Sequence, residues 1–157
     1  MTKLNLVAAP GKHDILMWRD FDAPRELVFK AYTDPALLPQ WWGSTTGSVI
    51  IDKMEVKKGG VWRYIQREAD GSEYAFHGIY HQVIAPERLV STFEFEGMPG
   101  HVLLETVTFE EVDGKTRMHN SQVFQSIEDR DGMLQTGMED GAEITWDRFA
   151  EVLKTLA

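Results

Sequence analysis

Few residues in this chain could do chemistry, and most are spaced wrongly for it. His77 and His81 stand four apart, a spacing that puts two metal ligands on one helix face. Residues 74–84 alternate like a strand, which would separate the two imidazoles by about 13 Å at ~3.3 Å per residue. One ion cannot bridge that gap, and His13, His101 and His119 form no ligand-spaced set, so no metal site is expected. The serines lack a Gly-x-Ser-x-Gly setting. Gly59-Gly60 joins two strand-like runs instead of opening a helix, so it is no phosphate loop. Glu110-Glu111 reads as a solvated charge cluster. Glu128 and Asp129 read as acids that favour the positive end of a helix. The chain has no cysteine, which excludes thiol catalysis, disulfides and thiolate metal sites. No catalytic residue and no cofactor is assigned. A cyclase or hydrolase would need a buried Asp, Glu or His inside a cavity to support it.

Two amides point to binding instead. By alternation Asn120 and Gln122 share a strand face with Met118 and Phe124. A buried amide without a partner costs on the order of 1–3 kcal/mol. Facing inward, these two would need backbone, water or a ligand. At a strand end, or with a bulge reversing their facing, they would meet solvent. The same alternation turns Trp62 and Tyr64 inward, then Phe76 and Tyr80 around Gly78, then Phe93 and Phe95 with Leu89 and Ser91. Val107 and Phe109 follow on the next strand. Such a wall suits a solid core or a cavity for a small apolar or aromatic ligand. Trp41-Trp42-Gly43 would stand at its mouth. Adjacent side chains diverge, so one indole of the pair, Trp42, is the inward candidate. Gly43 would let this loop approach closely.

The elements that must position these residues follow from turn signals. Residues 15–21 read as a first strand. Residues 49–56, 61–67, 74–84, 89–96, 102–111 and 116–124 give six more, and Asp113-Gly114 is the strongest hairpin signal among them. Asp22-Ala23-Pro24 should open a short helix with Asp22 as N-cap, and Asp34-Pro35 a second one running to Trp41. Residues 1–12 are expected to be a loose lead-in. Residues 126–157 read as one long helix capped by Ser126. Leu134, Met138, Ala142, Trp146, Phe149, Val152, Leu153 and Leu156 fall within roughly a 120° arc at ~100° per residue. Gly137 and Gly141 each cost ~1 kcal/mol against Ala in a helix, which a close approach to the sheet or a bend would offset. Residues 146–156 should anchor the fold. Residues 134–142 should be the looser half, with Met138 and Trp146 completing the cavity wall. Six successive strands on short turns imply an antiparallel meander whose concave side takes the helix.

At 157 residues, with 43% hydrophobic and 26% charged residues, the chain reads as one globular domain, 1–157. Its net charge of −9 repels phosphate backbones and anionic lipid, so neither nucleic acid nor a membrane surface is expected as partner. No apolar run has the length of a signal sequence or a membrane span. A cytoplasmic location is expected, and monomer and homodimer both stay open.

Three stretches together resemble a known family. They are Phe21-Asp22-Ala23-Pro24-Arg25-Glu26-Leu27-Val28 through Asp34-Pro35 with Trp41-Trp42-Gly43; Gly78-Ile79-Tyr80 with Ala85-Pro86-Glu87-Arg88-Leu89-Val90; and Val107-Thr108-Phe109-Glu110-Glu111 with Gly114-Lys115-Thr116-Arg117. Arg130-Asp131, Gly137-Met138-Glu139-Asp140-Gly141 and Trp146-Asp147-Arg148 extend the likeness. The chain is similar, over residues 14–157, to the activator of Hsp90 ATPase homologue group of the START/Bet v1 (SRPBCC) superfamily. The resemblance implies an α+β helix-grip fold: a seven-stranded antiparallel sheet curled around a long C-terminal helix, with two short helices between strands 1 and 2. It implies a small hydrophobic ligand or a chaperone as partner. The group supplies no catalytic set to transfer, and fold alone assigns no reaction.

Overall fold

The computed structural model describes residues 3–157. Its frame is one antiparallel sheet of eight strands in the order β1-β2-β8-β7-β6-β5-β4-β3. The strands are β1 (Asn5–Val7), β2 (Asp14–Phe21), β3 (Gly47–Met54), β4 (Val61–Glu68), β5 (Glu73–Ile84), β6 (Arg88–Phe95), β7 (Val102–Val112) and β8 (Lys115–Phe124). From β3 to β8 every sequential pair is also a spatial pair, as expected of a meander. β2 closes the order against β8, with Ile15 opposite Gln122 and Met17 opposite Asn120. Asp113 and Gly114 both hold positive φ (52° and 78°), the geometry of a tight hairpin turn between β7 and β8. Register shifts at Ile51/Lys53 and Tyr80/Gln82 mark bulges, which bend a sheet and increase its twist.

The eighth strand is β1, inside the stretch read as a loose lead-in. Leu6 pairs with Met17 there, and Leu4 and Leu6 pack on the core. Three residues carry too little alternation to stand out as a strand. Residues 1 and 2 of that lead-in lie outside the described residues.

Two helical expectations change. α1 (Arg25–Thr33) starts at Pro24, with no side-chain cap, and not at Asp22. The second short helix is a single 3-10 turn, Leu38–Gln40, because Pro39 sits within it. The long terminal helix is two. α2 (Ile127–Leu134) begins at Ser126, whose hydroxyl accepts from Asp129 N–H at 3.0 Å. α3 (Met138–Leu156) begins at Gly137 with φ 80°, a left-handed conformation that ends one helix and redirects the next. A Cβ at Gly137 or Gly141 would meet nothing within 4 Å. A bend therefore explains Gly137, close approach to the sheet explains neither, and nothing in the structure requires Gly141.

α3 lies against the inner face of the sheet. Trp146, Phe149, Val152 and Leu153 are buried, and Met138 and Ala142 are half-buried. Phe149 is the hub: Phe21 meets it edge-on at 5.2 Å and Trp41 at 4.9 Å. Edge-on pairs add about 0.5–1.5 kcal/mol each beyond the apolar area they bury. Trp41 is fixed in turn by an indole N–H bond to Ala31 O at 2.9 Å, which locks the 3-10 turn to α1. Arg19, 2% exposed among the core residues of β2, donates to Asp147 at 2.7 Å and lies over the Phe21 ring. It ties the first long strand to the middle of α3.

Candidate functional site

Between the N-terminal half of α3 and the sheet the core is not filled. A cavity of about 200 Å³ remains there. Nine of the twelve candidate residues line it: Trp42, Trp62, Tyr64, Tyr80, Phe93, Asn120, Gln122, Met138 and Trp146. Ser91, Leu89 and Val107 line it as strand alternation implies. Three candidates lie elsewhere. Met118 is fully buried in the core, opposite Arg19. Phe95 stacks on Phe76 at 5.1 Å, toward the end of β6 and under Gly97. Phe76 packs edge-on against Trp42 at 5.2 Å and lines an outer groove. That groove also contains Trp42, Met138 and Thr145, which line the cavity too, so these three side chains stand between the interior and the surface.

Trp41 and Trp42 both reach the cavity. The 3-10 turn ends at Trp41, where φ −129° and ψ −25° belong to neither a helix nor a strand, so successive side chains need not diverge as they do in either. The next loop is pinned closely. Gly43, with φ 87°, leaves no room for a Cβ: one would sit 2.2 Å from Gln66 Oε1. Gln66 Oε1 accepts from Ser44 N–H at 2.9 Å, and Arg148 of α3 donates to Gly43 O at 2.8 Å. Gly78 serves the wall itself. A Cβ there would collide with Thr92 O and with the Trp62 indole, whose N–H bonds Thr92 O at 3.2 Å.

The polar centre of the cavity is a carboxyl group absent from the candidate list. Glu105 stands on β7 between the buried Leu103 and Val107 and faces the cavity. It is half-buried, and burial pushes its carboxyl above the usual carboxylate range. Tyr32 Oη donates to Oε1 at 3.5 Å and Gln122 Nε2 to Oε2 at 3.4 Å. Asn120, Tyr64 and Tyr80 line the same space. Burial raises all three phenols above their ordinary value, so they stay neutral. Asn120 is 5% exposed, and its Oδ1 has no donor. Gln122 Oε1 is likewise buried without one. Glu105 was legible in principle: the alternation that turns Val107 and Phe109 inward turns Glu105 inward as well. Tyr32 was not, because it reaches the site from a helix; Trp41 was expected at the mouth, but only one indole of its pair was expected to point inward.

His77 and His81 contribute nothing here. His77 sits on the outer face of the sheet, 2.9 Å from Glu96 and 3.3 Å from Glu94, and His81 is exposed beside the bulge in β5. Arg63 completes the outer cluster, with bonds to Glu96 at 2.8 Å and Asp52 at 3.2 Å.

No curated protein matches this sequence. Solved structures match it closely in fold. A crystal structure of a Rhodobacter sphaeroides protein superposes with a TM-score of 0.90 at 23% identity, covering 98% of this chain and 99% of that one. A solution structure from Arthrobacter aurescens gives 0.87 at 25%, with 96% and 91% covered. Protein Ms6760 of Mycobacterium smegmatis gives 0.85 at 22%, with 98% and 97% covered. The family model described as activator of Hsp90 ATPase homolog 1-like protein matches residues 22–154, from the turn before α1 almost to the end of α3. The chain belongs to that family, and it shares the helix-grip fold of those solved structures.

Proposed function

We propose that this protein binds a small apolar or aromatic molecule in the cavity between its sheet and α3. One observation carries the reading: an aromatic-walled interior space of about 200 Å³ holds buried polar atoms that no protein group satisfies. Proteins seldom leave both a void and unmet hydrogen bonds in one place, because each costs stability. The volume bounds the ligand. A cavity of about 150 Å³ holds benzene, so this one takes a single ring with a short substituent and is too small for a sterol or a fused polyketide. The ligand would enter past Trp42, Met138 and Thr145.

The test is a fluorescence titration. Trp41, Trp42, Trp62 and Trp146 line the cavity, so one-ring compounds should change the emission saturably. Ala142→Phe, which puts a ring into the space from α3, should abolish the change. A titration with no saturable change, or one that Ala142→Phe leaves intact, contradicts the proposal.

The family match supports a second reading, an interaction module for a chaperone. Stimulation of Hsp90 ATPase by the purified protein would favour it, and no stimulation at stoichiometric excess would count against it. The compartment we propose is the cytoplasm, in keeping with the absence of cysteine. Among the described residues no helix is long and apolar enough to cross a membrane.

A further inference from the structure

The polar groups of the cavity say what the ligand must carry, provided that the cavity binds a ligand as proposed above. Gln122 turns its amide nitrogen toward Glu105, with Nε2 3.4 Å from Oε2. Flipping that amide would set its oxygen against the carboxylate, so the chemistry fixes Oε1 as the atom left over. Asn120 Oδ1 lies buried beside it, and the two are acceptors without a donor. Glu105 is itself held loosely. Its contacts from Tyr32 at 3.5 Å and Gln122 at 3.4 Å exceed the ~3.2 Å upper end of ordinary hydrogen bonds. The site thus gathers a carboxylate and two amide oxygens around one space.

No positive charge in the wall balances the carboxylate. No Lys, Arg or His lines the cavity among the described residues. A carboxylate partly withdrawn from water, as Glu105 is, is normally paired, because an isolated charge in a low-dielectric surrounding is costly. Much of the remaining wall is aromatic, Trp42, Trp62, Tyr64 and Trp146 among it, beside aliphatic side chains such as Leu89 and Val107. Ring faces attract cations, and ammonium groups are held in aromatic cages for that reason. At long range the net charge of −9 draws cations to the protein.

We infer that the ligand is an organic cation: a protonated amine on a single-ring body. Its N–H groups are donated to Glu105, Asn120 Oδ1 and Gln122 Oε1, and its ring lies against the indoles. A neutral alcohol could supply one donor but no charge. A carboxylic acid would bring a second anion to Glu105.

The experiment compares three one-ring probes on the intact protein: phenethylamine, phenethyl alcohol and phenylacetate. Isothermal titration is run at about pH 8, where an alkylamine is protonated and a carboxylate ionised. Phenethylamine should bind about 30-fold more tightly than phenethyl alcohol, the scale of one buried charge pair. Phenylacetate should bind more weakly than either. Glu105→Gln should remove the preference and bring the amine to the level of the alcohol. The three-probe ranking on the unmodified protein stands without the variant. Binding of the alcohol or the acid as tight as that of the amine would overturn the cation inference while leaving the binding function intact. Failure of all three to bind would remove both.

Discussion

A carboxyl group inside an aromatic cavity is an unstable arrangement unless something uses it, and Glu105 allows that to be measured. Burial raises its folded-state pKa above the unfolded value of 4.5. The folded state therefore favours the protonated form. The stability that Glu105 contributes is whole below pH 4.5 and is lost as pH rises through the folded-state value. The titratable groups facing it are Tyr32, Tyr64 and Tyr80, all held neutral by burial, so none compensates. Without ligand, Glu105→Gln should melt at a higher temperature than the unmodified protein at about pH 8, and the two should converge near about pH 4. Thermal melts across that range check it, and a difference independent of pH would contradict the assignment. The residue also shows where sequence reading stopped. Alternation along residues 102–111 turned Val107 and Phe109 inward correctly, and the same rule places Glu105 with them. A charge on an apolar face is easily taken for a strand-end residue, yet that inconsistency is the signal of a site. Asn120 and Gln122 were legible for the same reason, being polar groups on an inward face.

At the scale of elements, what could be read was whatever depended on periodicity. Strands β2 to β8 and the apolar stripe of α3 follow from spacing alone. The break between α2 and α3 did not, since an apolar arc drawn at constant pitch runs through Gly137 without noticing its φ of 80°. The two glycines should separate in a mutational test. Gly137→Ala forces a side chain into a left-handed conformation and should destabilise by about 1–2 kcal/mol. Gly141→Ala sits in regular helix with free space for a Cβ and should stabilise by about 0.5–1 kcal/mol. Denaturant midpoints of the two variants decide it, and a loss at Gly141 would mean that its lack of a side chain serves the outer groove it lines. The halves of the terminal region also differ as anchor and wall. Phe149, Val152 and Leu153 are sealed against the sheet, while Met138 and Ala142 line the cavity. Tyr32 escaped reading because the packing of α1 brings it to the cavity, a tertiary fact that no local pattern contains.

Across the whole molecule, two carboxyl groups on opposite faces of the sheet, Glu105 and Glu96, have opposite pH behaviour. On the outer face Arg63 and His77 hold Glu96 down to about 2. A depressed carboxylate stabilises the fold above its unfolded value of 4.5, and that contribution is lost as pH falls toward 2. Acid unfolding of Glu96→Gln should accordingly be shallower than that of the unmodified protein between those values, as circular dichroism would show. The Glu105 effect lies above 4.5, in the range where a cavity ligand would act, so the two windows do not overlap. In this fold the meander supplies a rigid wall, the C-terminal half of α3 holds it shut, and the glycine-led N-terminal half leaves space. The most direct measurement of the central claim is an NMR titration with phenethylamine and phenethyl alcohol. It follows the side-chain amide signals of Asn120 and Gln122 and the indole N–H signals of Trp42 and Trp62. The account predicts saturable shifts concentrated on those four residues. Shifts confined to the outer face around Arg63 and His77, or none that saturate, would contradict it.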